Sequence, residues 1–292
     1  MHDMAYVVEC TRTFREKLLA DRYRPYYHFA VPEDVGIPGD PNGAFYANGR
    51  YHLMYLYNRT EAGRSEKSNF CWGHISSTDL VHWRHHPDAI RPGDGDGGCF
   101  SGGAFVDDDG TAYISYWALP AGSDSPRGSG IGIARSTDRH YETWEKIATI
   151  DCTERGILVQ RDPAGDLQFL GNADPSNIWK KDGVYYLQAG NLPVLNKYGR
   201  GEDTPSWYRG DWVDLFRSTD LRNWEYVHRF YQRRSDNSWT DESEDDMCPS
   251  FLPLATEDGS ESGKYCTLFQ NTWAIQPATT RSETAFWRKM ES

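Results

Sequence analysis

The sequence predicts an all-β fold assembled from repeated four-stranded antiparallel units, and three observations predict it. Aromatic residues make up 14% of the 292-residue chain, with 11 Trp and 18 Tyr, alongside 27 Gly and 15 Pro. That composition favours short strands joined by turns over long helices. Three segments, 72–83, 130–144 and 212–224, repeat one pattern: a strand, a Ser-Thr-Asp turn and a second strand opened by Trp83, Trp144 or Trp224. Upstream of each lies a hairpin pattern with a Gly-containing turn, at Asn48-Gly49, Asp109-Gly110 and Asp182-Gly183.

Taken in order, residues 1–22 form a lead-in with a short amphipathic helix over 11–21. Each later unit then combines a hairpin with a Ser-Thr-Asp strand pair, and a fourth opening strand follows Cys248-Pro249-Ser250-Phe251. The units begin near Asp40, Ser101, Asp174 and Cys248. Four-stranded units in series are what the blades of a β-propeller require. Their spacing, roughly 60–75 residues, exceeds the ~40–50 of common propeller repeats and implies long loops. The first strand of a propeller blade lines the central channel, so residues opening successive units converge on one funnel. The pattern stops after Phe269, and 271–292 carries no clear hairpin. The predicted organisation is therefore a propeller of about four blades over 23–270, then a divergent or truncated tail.

The net charge of −12 disfavours nucleic acid and anionic membrane as partners and suits a neutral substrate. No stretch approaches the 18 apolar residues of a membrane span. The first residues mix charges without the apolar core of a secretory signal, so a cytoplasmic location is expected. The six cysteines form no CxxC pair and read as reduced thiols. No His/Asp/Glu cluster has metal-ligand spacing, and His85-His86 reads as a polar strand end at the surface. The sequence therefore implies no metal and no cofactor.

Carboxylates mark the unit openings. Two units open with Asp-Pro, at Asp40-Pro41 and Asp174-Pro175, and an acidic run, Glu242-Ser243-Glu244-Asp245-Asp246, precedes Met247-Cys248-Pro249. Proline holds the residue before it in an extended conformation, which helps to aim the acid. Any one of these acids reads as a solvated turn residue; three at equivalent places in a repeat favour a site. Two carboxyl groups flanking the scissile bond are what glycoside hydrolysis needs. The many aromatic rings supply flat faces for sugars, although most must serve the core.

Four motifs run in order along the chain. They are Tyr23-Arg24-Pro25-Tyr26-Tyr27-His28-Phe29; Gly39-Asp40-Pro41-Asn42-Gly43; Trp72-Gly73-His74 with Ser77-Thr78-Asp79-Leu80-Val81-His82-Trp83; and Phe100-Ser101-Gly102-Gly103. In this set the chain resembles glycoside hydrolase family 32, the β-fructosidases (invertases, levanases, inulinases and fructan hydrolases). The resemblance implies a five-bladed β-propeller, here incomplete in its last blade and without the β-sandwich that follows in the family. It implies cleavage of β-fructofuranosyl linkages in sucrose, fructo-oligosaccharides, levan or inulin, with retention. Asp40 would be the nucleophile, Asp174 the stabiliser that binds the fructosyl hydroxyls, and Asn42, Trp72, Phe100 and Ser101 the lining of the sugar pocket.

This chain departs from the family in three places. Gly39 stands where the family has Asn. Ala173 replaces the Arg of the family's Arg-Asp-Pro box, while a literal Arg161-Asp162-Pro163 lies upstream as a decoy. Met247 occupies the place of the acid/base Glu, which leaves Glu244 and Asp245 as candidates for that role. Two further readings stand beside hydrolysis with retention: a carbohydrate-binding propeller or inactive remnant, and an inverting glycosidase of the arabinan/xylan type.

Overall fold

The computed structural model describes residues 36–59, 70–120, 130–151, 158–161, 167–194, 212–232, 247–270 and 285–288, together with positions 16, 20, 22 and 23. The lead-in expected over 1–22 thus lies outside the described residues, apart from Glu16, Ala20 and Arg22.

The strands form a series of antiparallel meanders. The first sheet holds β1 (Gly36–Ala47), β2 (Arg50–Arg59), β3 (Phe70–Ser77) and β4 (Trp83–Ile90), in that order. The second repeats it with β5 (Asp96–Val106), β6 (Ala112–Pro120), β7 (Gly130–Ser136) and β8 (Glu145–Asp151). A small hairpin, β9 (Leu158–Arg161) with β10 (Leu167–Leu170), precedes the third sheet. There β11 (Ala173–Pro175) and β12 (Trp179–Lys181) both pair with β13 (Val184–Gly190), followed by β14 (Trp212–Ser218) and β15 (Trp224–Gln232). The last sheet holds β16 (Met247–Ala255), β17 (Glu261–Gln270) and β18 (Ala285–Arg288).

Local chemistry explains the turns. Asn48-Gly49 and Asp182-Gly183 take φ values of 52° and 77°, and of 51° and 77°. Two left-handed residues in a row are what a two-residue hairpin loop demands, and Asn-Gly and Asp-Gly supply them at least cost. At Ser77 and Ser218 the hydroxyl accepts from the amides two and three residues on. The carboxylates of Asp79 and Asp220 then take the next two amides. The middle copy is longer, and Asp138 accepts from His140, Glu142 and Thr143 instead. All three turns place a non-Gly residue at positive φ three positions before the Trp: Leu80 (63°), Tyr141 (55°) and Leu221 (61°). The Trp144 and Trp224 indoles donate back to the Tyr141 and Leu221 carbonyls.

Apolar clusters lie between successive sheets. Met54 and Trp72 pack on Ile114 and Tyr116, and Ile131 and Ile133 on Leu187 and Phe216. Trp179 stacks on Phe251 at 4.0 Å. Backbones approach closely at the same level. A Cβ on Gly43 would lie 2.7 Å from the Ala104 Cβ, and one on Gly103 2.3 Å from the Asn177 amide nitrogen. Ser115 Oγ donates to the Ser176 carbonyl at 2.6 Å. The Asn177 carboxamide then bonds both backbone groups of Phe251, at 3.0 and 2.9 Å.

Two expectations change. Part of 271–292 is a strand, β18, paired antiparallel with β17; four residues are too few to display a readable alternation. His86 is not at the surface. Its side chain is 1% exposed and donates Nδ1–H to Glu142 Oε1 at 2.9 Å, because the 138–143 turn of the second sheet covers β4.

Candidate active site

Every opening strand is irregular at the residues singled out by the sequence. In β1, Pro38 opposes Tyr57 and Pro41 opposes Tyr55, so Gly39 and Asp40 share one partner position. In β5, Cys99 opposes Ala118 and Gly102 opposes Tyr116, which gives Phe100 and Ser101 the same relation. In β11, Asp174 is the extra residue between the pairs Ala173–Gly190 and Pro175–Ala189. In β16, Cys248 and Pro249 fall between Met247–Gln270 and Ser250–Leu268. Each is a one-residue bulge, the device that turns a side chain away from the regular pleat.

Proline explains three of the four. Pro41, Pro175 and Pro249 have no N–H to give the ladder, so the pairing must shift around them. The first unit also starts earlier than the expected opening near Asp40: β1 already begins at Gly36, and Asp40 lies within it. Backbone strain marks the same places, with positive φ at Asp174 (43°) and Cys248 (50°). Such conformations in non-Gly residues persist only where the surroundings enforce them.

The side chains connect neighbouring sheets. Ser101 Oγ donates to Asp40 Oδ2 at 2.6 Å, which fixes the rotamer of an otherwise exposed carboxyl group. Asn42 is buried, and its Nδ2 has no acceptor among the described residues. Trp72 is fully buried and donates Nε1–H to the Phe100 carbonyl at 2.9 Å. It therefore braces the bulge that carries Ser101 from behind, with no face of its own open to solvent. The half-buried Phe100 ring meets Phe70 and Trp117 at 4.7 and 5.2 Å. Asp174 is buried on β11, a strand that touches both β5 and β16.

Glu244 and Asp245 lie outside the described residues. Arg161 ends β9, and Asp162-Pro163 lies outside the described residues. Asp174-Pro175 instead forms the opening strand itself. Among the described residues, no group of three His, Cys, Asp or Glu side chains is placed to hold a metal ion. Sequence reasoning missed the bulges, whose signal at three of the four was the proline after Asp40, Asp174 and Cys248. It also missed Asn172 and Asp214, buried behind Asp174, which carry no motif.

An exposed carboxylate fixed by a hydroxyl, a buried carboxyl group and a half-buried phenyl ring, all on the opening strands of serial sheets, suit an all-β protein of the glycosidase type. The comparison with known proteins is specific. The chain belongs to glycosyl hydrolases family 32: the N-terminal domain of that family matches residues 28–290. It is 29% identical over 253 residues to a sucrose-6-phosphate hydrolase of Klebsiella pneumoniae, covering 85% of this chain and 47% of that one. It is 31% identical over 244 residues to the raffinose invertase of Escherichia coli, covering 81% and 44%. The chain thus spans less than half the length of these curated relatives. Among solved structures, the fructan 1-exohydrolase IIa of Cichorium intybus superimposes with a TM-score of 0.59 at 25% identity, over 85% of this chain and 42% of that one.

Proposed function

We propose that this chain carries the catalytic centre of a β-fructofuranosidase that hydrolyses sucrose, fructo-oligosaccharides or fructans with retention. The single observation that carries the proposal is the Ser101–Asp40 hydrogen bond at matching bulges of adjacent opening strands, within a family-32 chain. In this reading Asp40 attacks the anomeric carbon as the bond to the leaving oxygen breaks, giving a covalent fructosyl ester. Glu244 or Asp245 protonates that oxygen and then takes a proton from the water that cleaves the ester. Asp174 binds the fructosyl hydroxyls as charge develops, and Asn42, Phe100 and Ser101 border the sugar, with Trp72 behind them. Several relatives support the substrate class. Their names are sucrose-6-phosphate hydrolase and raffinose invertase, and one fructan 1-exohydrolase structure is a complex with 1-kestose.

The meanders are read as blades of a propeller, five in the complete fold, with the catalytic unit starting near residue 23 and running through 270. Contacts of β5 with β1 and β11, and of β11 with β16, support a shared channel.

The test is fructose release from sucrose, inulin and levan by the wild type and by Asp40→Asn. Loss of the nucleophile is expected to reduce turnover by about a thousandfold or more. Unchanged release would overturn the assignment. Glu244→Gln and Asp245→Asn, assayed in parallel, identify the acid: only one of them should abolish turnover. Met247, at the position where the resemblance places that acid, favours a second reading, a sugar-binding chain without turnover. That reading requires calorimetric binding of sucrose with no fructose released.

A further inference from the structure

We propose that Asn172 and the buried carboxyl group of Asp214 are positioning residues that hold the bulge from which Asp174 is aimed. The proposal rests on the reading of Asp174 as the group that binds the fructosyl hydroxyls. It starts from a gap in the ladder. Ala173 opposes Gly190 and Pro175 opposes Ala189, with Asp174 in excess between them. Past the bulge the ladder resumes at Ser176, whose N–H donates to the Gln188 carbonyl at 2.7 Å. Before it, the Asn172 side chain reaches across: its Nδ2 lies 3.2 Å from both the Ala189 and the Gly190 carbonyl oxygens. A side-chain amide thereby ties the residue before the bulge to the two β13 residues that face its ends.

Asn172 is itself anchored. The same Nδ2 lies 2.9 Å from Asp214 Oδ2, which also accepts the Trp212 indole N–H at 3.0 Å. Asp214 is on β14, opposite Ala189, so three strands meet at this one carboxyl group. Arg229 of β15 is the charged group that faces it, with Nε 3.9 Å from Oδ1 and the guanidinium 3.9 Å above the Trp212 ring. Asp214 has no solvent exposure, and burial pushes its carboxyl group up to about 6. A fully buried acid is an expensive way to hold a sheet together, since an apolar side chain would do it at lower cost. What an apolar residue cannot do is orient Asn172. Asp174 needs that support because it sits at φ 43°, a conformation that does not sustain itself in a non-Gly residue.

The test is titration calorimetry of sucrose and a short inulin oligomer on the full chain, so that it reads out even without turnover. Variants are Asp174→Asn, Asp214→Asn, Asn172→Ala and the double Asp174→Asn/Asp214→Asn, each checked for folding by circular dichroism. Asp214→Asn and Asn172→Ala should each weaken binding about tenfold. The double variant should bind no worse than Asp174→Asn alone, because both changes disable one device. Wild-type affinity should also fall as pH drops through about 6, where Asp214 takes up a proton beside Arg229, and Asp214→Asn should lack that step.

Wild-type affinity in both Asp214→Asn and Asn172→Ala, with Asp174→Asn impaired, overturns the positioning role. So do losses that simply add in the double variant, the mark of general loosening. Undiminished binding by Asp174→Asn, or no binding by the wild type, overturns the Asp174 reading itself, and the positioning role with it. If Asp214→Asn fails to fold, Asn172→Ala and its double with Asp174→Asn decide the matter by the same criteria.

Discussion

Leu80 and Gly103 show how differently single positions constrain this chain. Leu80 is 53% exposed yet held at φ 63°, where a β-carbon is unfavourable and its apolar side chain gains little from packing. Asn tolerates that conformation better. Leu80→Asn is therefore expected to stabilise the protein by a few tenths to about 1 kcal/mol, read as a higher urea midpoint with an unchanged slope. Gly103 is the opposite case. Its missing β-carbon would meet the Asn177 backbone at 2.3 and 2.4 Å, and backbone cannot rotate away as a side chain can. Gly103→Val should cost about 3 kcal/mol or more, or prevent folding, whereas a substitution at Gly110 finds open space and meets only its φ of 84°. Thermal midpoints of the Gly103→Val and Gly110→Asn proteins, compared side by side, check the contrast.

At the scale of elements, the three Ser-Thr-Asp turns are one solution used repeatedly. Replacing Ser218 by Ala removes the acceptor for two backbone amides, those of Asp220 and Leu221. The expected loss is about 1–2 kcal/mol, measured by denaturant unfolding. These turns were legible because their chemistry is local: Ser, Asp and Trp act within nine residues of one another. The hairpin turns at Asn48-Gly49 and Asp182-Gly183 were legible for the same reason. The bulges were not, since a register shift belongs to two strands at once, and Pro41 or Pro175 alone reads only as a turn or a strand end. His86 was misjudged because its own strand is polar; what buries it is the 138–143 turn, more than fifty residues away. Asp40 stands out as the nucleophile candidate from its neighbours alone, whereas Met247, at the place where the resemblance puts the acid, leaves that partner open.

At the scale of the whole molecule, acid sensitivity follows from a stack of histidines that locks the first two sheets together. His74 lies between His52 and His86, with ring centroids 5.2 and 4.2 Å away, and His52 Nδ1 is 2.9 Å from His74 Nε2. Ser76 Oγ lies 2.7 Å from His86 Nε2; with Nδ1–H given to Glu142, that nitrogen accepts the hydroxyl proton and the ring is neutral. Burial above all, then the neighbouring imidazoles, lowers His74 to about 2, and burial, then His86, lowers His52 to about 4. His86 is lowered as well, again mainly by burial. Depressed folded-state values mean that the unfolded chain binds these protons first. Stability is therefore full above the unfolded value near 6.5 and is lost as pH falls from there towards 4. His74 alone contributes a slope of up to about 1.4 kcal/mol per pH unit. Urea midpoints between pH 7.5 and 4.5 should drop along this window, and His74→Asn should flatten the curve. A midpoint unchanged down to pH 5 would show that the three rings are not buried neutral.

The four bulges carry a consequence for how such a protein changes over generations. A residue that belongs to no cross-strand pair can be exchanged without rewriting the register on either side of it. Asp40, Ser101, Asp174 and Cys248 all occupy positions of this kind. Chemistry and foldability can thus vary separately here: exchange at the bulges changes which side chains they present, while the glycine contacts and ladders keep the scaffold intact. A lineage can gain, trade or lose its chemistry and still pass on a protein that folds.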